Sequence, residues 1–296
     1  MSGLLEASRY FVVTTAQMAA LFLVLSFLIG LLRAWVPEEK LRSMFEKRGS
    51  VGAYLGGATL GAITPFCSFS TIPVLVGLLR SGAPFGPTMT FMFASPLLDP
   101  VVLGVLVFVI GVEGAALYAA VTFTASVVIG ILLAKLGFES DIKENMLAAE
   151  SVGDGCSVDT PMWRRAWREA WGFFIPVLPY LVVGTAIGAA IYGFVPTEWI
   201  SAVAGPDRPL AIPVAAALGV PIYVNAETFF PITNALMERG MGAGAMVALV
   251  ITGMGASLPE ISMLAGIFRF RLVAILTASV FVTAIGGGTL FALTLA

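Results

Sequence analysis

The stretch Thr64-Pro-Phe-Cys-Ser-Phe-Ser-Thr-Ile-Pro73 places two prolines eight residues apart inside an apolar block, with a thiol and several hydroxyls between them. A proline removes a backbone donor and interrupts the hydrogen-bond ladder of a helix. Within hydrocarbon, the freed backbone groups are costly unless the protein itself satisfies them. The stretch therefore predicts two half-helices that meet at a polar break, bounded by Pro65 and Pro73 and lined by Cys67, Ser68, Ser70 and Thr71.

The composition of the chain is typical of a protein that has lipid as its solvent. Of its 296 residues, 58% are hydrophobic and 11% are charged, whereas soluble domains have roughly 45–50% and about 25%. Hydrophobic blocks lie at roughly 11–32, 51–79, 85–110, 114–136, 172–195, 210–238, 242–268 and 272–295. About 20 apolar residues cross a bilayer as a helix. We therefore expect an all-α, polytopic membrane protein built as a helical bundle.

Several classes of function are excluded by what the sequence lacks. The chain has no histidine, two cysteines (Cys67 and Cys156) and a net charge of -2. Without histidine there is no Ser–His or Cys–His pair, and no Walker-type phosphate loop occurs. A metal cage needs three or four ligands, and a nucleic-acid partner needs a basic face. We expect no enzyme activity, no cofactor, no metal and no nucleic-acid partner.

The helix breaks recur along the chain. When Pro73 is placed on Pro231, the downstream breaks coincide, and two extra residues in the second copy bring the upstream prolines into register. We predict two repeats, 1–137 and 172–296, joined by a cytoplasmic acidic linker at 138–171 that ends in a basic, tryptophan-rich stretch. The paired breaks are Pro65 with Pro221, Pro73 with Pro231, and Pro96–Pro100 with Gly253–Pro259.

The basic residues indicate how the two copies are oriented. Placing segments 33–50 and 135–171, Arg80 and the turn at Arg269 and Arg271 in the cytoplasm leaves all but three of the 16 Lys and Arg inside. This distribution obeys the positive-inside rule. The first block of copy one then ends inside, and that of copy two starts inside. We predict inverted repeats, a pattern typical of secondary transporters, with blocks 51–79 and 210–238 as re-entrant hairpins.

Three further clusters place polar side chains inside apolar blocks. In Ala94-Ser-Pro-Leu-Leu-Asp-Pro100, Asp99 either contacts a solute or caps the half-helix that starts at Pro100. Between Pro221 and Pro231, Glu227 is the acid that we most expect to contact a solute. Near Pro259, one serine either lines the site or caps a half-helix, and one acid lies in its first turn. The predicted lining adds Ser95, Asp99, Asn225, Glu227, Thr228, Ser257 and Glu260.

The motif at 64–73, followed by Gly77-Leu-Leu-Arg-Ser-Gly-Ala-Pro-Phe-Gly-Pro87 and by Ala94–Pro100, resembles the ArsP-type predicted permease family, and the resemblance covers essentially the whole chain. It implies a multi-pass permease of the bacterial or archaeal cell (inner) membrane, with relatives implicated in efflux of trivalent arsenicals, including organic ones. Phe69 stands where the family often has a second cysteine, and Asp99 stands where it often has asparagine.

These observations lead to one expected function and two alternatives. We expect a secondary transporter that exports a small solute, such as a trivalent (organo)arsenical or a related metalloid compound. Acids in apolar blocks suggest exchange with protons. The alternatives are a channel-like pore for a small solute or ion and an intramembrane redox protein that uses Cys67. The expected partners are the lipid bilayer and the solute, and a homo-oligomer is compatible with the sequence.

Overall fold

The computed structural model describes residues 49–64, 68–80, 82–143, 210–221 and 241–294, together with single positions or short runs within 8–27 and 163–186 and at 237. The described part of the chain is helical and contains no strand. The helices whose bounds are described are α1 (Gly49–Ile63), α2 (Ser68–Arg80), α3 (Phe85–Leu97), α4 (Pro100–Lys135), α5 (Ala211–Gly219), α6 (Ala243–Gly255), α7 (Leu258–Ile267) and α8 (Phe270–Thr294), with a short 3-10 helix (Phe138–Asp141) after α4.

Three stretches of the described part are long and apolar enough to cross a membrane. They are Pro100–Lys135, Ala243–Ile267 and Phe270–Thr294, with mean hydropathies of 2.3, 1.6 and 1.8. Large apolar side chains on α4 and α8, such as Phe108 and Leu293, are exposed. Exposure of this kind suits a surface that faces lipid. The described part of the chain is therefore helical and contains three stretches that can cross a membrane, which agrees with the multi-pass membrane protein that the composition predicts.

The two 13-residue helices α3 and α6 lie at the centre of the fold. Every residue of α3 is buried, and so is every residue of α6 from Gly244 to Met254. At 1.5 Å per residue each helix is about 20 Å long, which is shorter than the roughly 30 Å of hydrocarbon in a bilayer. Helices α1 and α4 pack against α3, and α5 and α8 pack against α6. The buried centre therefore consists of helices too short to span the membrane alone.

The breaks between helices differ in part from those that the prolines predict. Pro73 does not end a helix, because α2 continues through it to Arg80. Its missing N–H would have bonded to the carbonyl of Phe69, in the first turn of α2, so the ladder loses one bond near its start. Pro96 also lies inside a helix, one residue before α3 ends at Leu97.

Helix α4 contains a break that the prolines do not predict. Gly111 has φ +77° and ψ 172°, outside the helical region, between two helical segments. A positive φ is accessible to glycine at no steric cost, because glycine has no Cβ. The change of direction lies where the sequence separates the block at 85–110 from the block at 114–136.

The segment that follows α4 is fastened to the turn between α7 and α8. Ile142 and Phe268 form an isolated antiparallel bridge. The backbone N–H of Arg269 donates to the Asp141 carbonyl at 2.8 Å, and that of Lys143 donates to Ile267 at 3.1 Å. The end of α4 and the start of α8 therefore lie at the same end of the molecule.

Candidate functional site

The first break in the centre of the fold lies between α3 and α4. Helix α3 ends at Leu97, and Asp99 is the N-cap of α4, with Pro100 as the first helical residue. The backbone N–H of Val101 donates to the Asp99 carboxylate at 2.7 Å. A carboxylate at this position satisfies an otherwise unpaired donor and interacts favourably with the helix dipole. The structure therefore confirms that Asp99 caps the half-helix that starts at Pro100.

The second break lies between α6 and α7 and has the same form. Helix α6 ends at Gly255, Ser257 is the N-cap of α7, and Pro259 lies in the first turn. Ser257 makes no side-chain capping bond, and its buried hydroxyl has no hydrogen-bond partner among the described residues. The N–H of Leu258 instead donates to the carbonyl of Val220, at the end of α5, at 3.0 Å. The break is thus held to α5.

Two glycines allow a neighbouring helix to approach each break closely. A Cβ on Gly61 would lie 3.1 Å from the Phe91 carbonyl oxygen and 2.9 Å from the Ser95 amide nitrogen. A Cβ on Gly219, 158 residues later, would lie 2.5 Å from the Leu249 carbonyl oxygen and 3.0 Å from the Gly253 nitrogen. The residues that Gly219 approaches also lie 158 positions after those that Gly61 approaches. Helix α1 therefore packs against α3 in the same way as α5 packs against α6.

A side-chain hydrogen bond ties α2 to the first break. Thr71 Oγ1 donates to Ser95 Oγ at 3.1 Å, and both residues are almost completely buried. Ser95 lies in the last turn of α3. Two of the residues predicted to line the site are therefore in direct contact, although they belong to different motifs of the sequence.

The two breaks meet around a small cavity. A Cβ on Gly255 would lie 3.6 Å from Leu97 Cδ2, so the last residues of α3 and α6 are neighbours. The cavity has a volume of about 10 Å³, which is close to the minimum for one water molecule. Its lining includes Phe93 and Pro96 from the first half and Gly255, Glu260, Leu276 and Thr277 from the second.

Glu260 is the charged residue of the cavity lining. It lies in the first turn of α7, and 6% of its surface is exposed. The N-terminal turn of a helix favours a carboxylate, because its backbone N–H groups carry partial positive charge. The structure thus places this acid both at a helix start and beside the space between the breaks. No cluster of three or more His, Cys, Asp or Glu that could hold a metal occurs among the described residues.

The remaining predicted residues divide by what the structure describes. Pro221 lies in the turn that follows α5. Ser68, Ser70 and Pro73 belong to α2, but their side chains are outside the described part. Six predicted positions lie wholly outside the described residues: Pro65, Cys67, Asn225, Glu227, Thr228 and Pro231.

Sequence reasoning missed Thr277 as a residue of the cavity lining, and it missed Tyr118 in the core. Thr277 is one of several hydroxyl residues in the apolar block of α8, and no proline or glycine beside it distinguishes it from the others. Tyr118 is completely buried on α4, and its hydroxyl has no partner among the described residues. A tyrosine inside a long apolar block was the available signal, since a buried hydroxyl normally finds a partner.

The chain is similar to three proteins that are described as UPF0718 proteins. It is 23% identical to the UPF0718 protein YcgR of Bacillus subtilis, over 98% of both chains. It is 23% identical to the UPF0718 protein MJ0584 of Methanocaldococcus jannaschii, over 81% of this chain and 84% of that one. It is 26% identical to the UPF0718 protein YraQ of Escherichia coli, over 88% and 74%. No solved structure gives a significant match.

A family model extends the similarity to nearly the whole chain. The model described as ArsP_1, predicted permease, matches residues 4–293. The match includes both breaks, the cavity between them and the segment that joins the two halves. It agrees with the resemblance carried by the motif at 64–73. The chain belongs to the ArsP_1 predicted permease family and is a membrane permease.

Proposed function

We propose that this permease is a secondary transporter whose solute crosses the membrane at the junction of the two helix breaks. The observation that carries the proposal is that the ends of α3 and α6 meet, with a buried carboxylate and a cavity between them. Half-helix ends expose unpaired backbone groups that can coordinate a solute near the bilayer midplane. The cavity has room for about one water molecule, so a larger solute requires the two halves to move apart.

The proposal includes two repeats related by a constant shift of 158 residues. The first residues of α3 and α6 are 158 positions apart, and so are their last residues. The N-cap residues of the helices that follow, Asp99 and Ser257, have the same separation. Gly130 and Gly288 also correspond, because their Cβ positions approach the carbonyls of Gly86 and Gly244 respectively. With this constant shift, the second copy needs no extra residues before Pro231. Pro65 then no longer pairs with Pro221, which revises the alignment of the two copies that the prolines suggest.

The direction of corresponding helices favours inverted topology. The second part of α4 corresponds to α8 in the shift of 158 residues. The C-terminal end of α4 and the N-terminal end of α8 lie at the same end of the molecule, joined through the Ile142–Phe268 bridge. Corresponding helices therefore run in opposite directions. Helices α1 and α5 have 15 and 9 residues, too few to span, which favours re-entrant segments among the eight apolar blocks.

We propose a trivalent (organo)arsenical, or a related metalloid compound, as the exported solute. Trivalent arsenic is soft and prefers thiolate ligands, in line with the general pairing of soft ions with sulfur. Cys67 directly precedes α2 and lies four residues before Thr71 in the chain. Thr71 is hydrogen-bonded to Ser95 at the first break. Ser68, Ser70, Asn225, Glu227 and Thr228 would complete the lining.

The experiment is flux of a trivalent methylarsenical into proteoliposomes, with the two cysteines compared. We expect Cys67→Ser to reduce the flux to near the protein-free rate. Cys156→Ser is the matched control, because Cys156 lies in the polar linker, and it should leave the flux unchanged. Wild-type protein that moves no arsenical rejects this substrate class. Full flux in Cys67→Ser rejects the thiol as a ligand and also rejects a redox role for Cys67.

The same preparation tests energy coupling and the channel alternative. Asp99 and Glu260 are buried acids at the two breaks, so we propose that the solute exchanges with protons. Collapsing the pH gradient should then slow uptake against a concentration gradient, and unchanged uptake contradicts proton coupling. A carrier gives saturable flux, whereas ohmic conductance in a planar bilayer would identify a channel.

A further inference from the structure

A helical segment after the linker presents one face to the protein and another to its surroundings. The described residues between 163 and 175 are helical. Ala166, Ala170 and Phe174 follow one another at intervals of four residues and are buried. Residues four apart lie on the same face of a helix, so this face packs against the protein. The opposite face carries Arg164, Arg168 and Trp171, all of them exposed.

The exposed residues of this segment change in character along the helix axis. The two arginines, Arg164 and Arg168, alternate with the two tryptophans, Trp167 and Trp171, at the start of the segment. Exposed aliphatic residues follow them: Ile175, Leu178 and Val182. From Arg164 to Ile175, within the described helical residues, a helix rises about 17 Å. The order is that of headgroup, interface and hydrocarbon, because arginine favours the charged surface and tryptophan favours the interfacial belt. The exposed residues therefore change along the chain in the order in which a bilayer changes from its surface inward.

The cationic end of this face forms a cleft. Arg164, Trp167, Arg168, Trp171 and Gly172 line an open space of about 530 Å³. The Trp167 and Trp171 rings are stacked with their centroids 6.1 Å apart. A Cβ on Gly172 would meet nothing within 4 Å. The cleft therefore has two stacked aromatic rings in its lining and, at Gly172, a position without a side chain.

The two guanidinium groups of the cleft belong to exposed residues. Arg164 lies over the Trp163 ring at 5.2 Å, and neither Arg164 nor Arg168 forms an ion pair with a residue that the structure describes. They are one helical turn apart. Arginine binds phosphate oxygens through paired N–H donors, and two such groups can hold one phosphate from two sides.

We propose that this cleft binds the headgroup of an anionic phospholipid, such as phosphatidylglycerol, with its phosphate between Arg164 and Arg168. One acyl chain would follow the exposed face along Ile175, Leu178 and Val182. The aliphatic continuation of the face distinguishes a lipid from a free phosphate, which has no apolar part to bury. This binding site is independent of the transported solute, and it fixes this helix at a defined depth in the membrane.

The test uses quenching of tryptophan fluorescence by brominated lipids. Three of the five tryptophans of the chain belong to this segment, so the signal reports mainly on it. Wild-type protein in phosphatidylcholine should be quenched about tenfold more effectively by brominated phosphatidylglycerol than by brominated phosphatidylcholine, given the attraction of two arginines to an anionic lipid. The preference should disappear in Arg164→Gln/Arg168→Gln.

The matched control is Arg9→Gln/Arg269→Gln, which removes the same charge from two other exposed arginines and should keep the preference. Equal quenching by both lipids in the wild-type protein overturns the proposal, and so does a preference that survives in Arg164→Gln/Arg168→Gln. Competition by inorganic phosphate at millimolar concentration also overturns it, because the site would then bind free phosphate. If the double variant does not fold, the wild-type comparison still decides the question.

Discussion

Thr71 Oγ1 lies 3.1 Å from Ser95 Oγ, and this hydrogen bond joins the second turn of α2 to the last turn of α3. Both side chains are buried at the first break. The stretch bounded by Pro65 and Pro73 is therefore connected to the junction of the two breaks through a polar contact. A buried contact of this kind fixes the position of α2 relative to the proposed solute path.

Thr71→Val removes this hydrogen bond and keeps the shape of the side chain. We expect a loss of about 1 kcal/mol in the free energy of unfolding, measured by chemical denaturation in detergent, and slower transport because α2 is less firmly held. Thr59→Val is the control, since Thr59 is exposed and its hydroxyl bonds to its own helix. It should change the stability by less than about 0.5 kcal/mol. Equal effects of the two substitutions would show that the Thr71–Ser95 contact has no special role.

The close helix contacts at Gly61 and Gly219 give a prediction for both halves. An alanine at either position would press its Cβ against backbone atoms of α3 or α6, so we expect each substitution to destabilise the protein by about 1–3 kcal/mol. Gly104→Ala is the control, because a Cβ there meets nothing within 4 Å, and alanine is the better helix former. Thermal unfolding in detergent measures all three. If Gly61→Ala is harmless and Gly219→Ala is harmful, the two contacts are not equivalent.

The buried hydroxyl of Tyr118 has no partner among the described residues. Removing an unsatisfied buried polar group is neutral or stabilising, so Tyr118→Phe should leave the unfolding free energy unchanged or raise it by up to about 1 kcal/mol. Tyr118→Leu tests the sensitivity of the assay, because it leaves a cavity in a packed core and should cost about 2–4 kcal/mol. A destabilised Tyr118→Phe, or one that is stable but does not transport, would mean that the hydroxyl has a partner in the working protein.

Lys143 fastens the segment after α4 to the end of α7. Its ammonium group donates to the Ala265 carbonyl at 2.6 Å, near the C-terminus of α7, where a positive charge is favourable. We expect Lys143→Met to lower the unfolding free energy by about 1–2 kcal/mol. Lys135→Met is the comparison, because Lys135 is exposed in the last turn of α4 and should cost about 0.5 kcal/mol. Similar losses of stability in both variants would contradict a stabilising role for the hydrogen bond from Lys143 to Ala265.

The sequence predicts the all-α membrane fold and the neighbourhood of the central breaks. Asp-Pro at Asp99 and Pro100 is a strong local signal for a helix start, because both the cap and the fixed φ of proline act within a few residues. Ser257 also takes an N-cap position, two residues before Pro259, although its side chain makes no capping bond. Family membership also followed from the motif at 64–73.

Other features of the fold could not be predicted from local sequence patterns. Pro73 was expected to break a helix, but a proline near the start of α2 costs only one backbone bond, and the helix continues. The break at Gly111 lies at a predicted boundary between two apolar blocks, but no proline beside it indicates a change of direction inside α4. The hydrogen bond between Thr71 and Ser95 joins residues far apart in sequence, and so does the cavity that Glu260 and Thr277 both line. Such contacts result from packing between helices.

The most direct test of the central claim compares two acids in the flux assay. Glu260 lines the cavity between the breaks, whereas Glu113 is exposed on α4. If the solute crosses at this junction, Glu260→Gln should slow transport by about tenfold, equivalent to roughly 1.4 kcal/mol in the barrier, and Glu113→Gln should transport at the wild-type rate. Wild-type flux through folded Glu260→Gln protein would contradict a path between the two breaks.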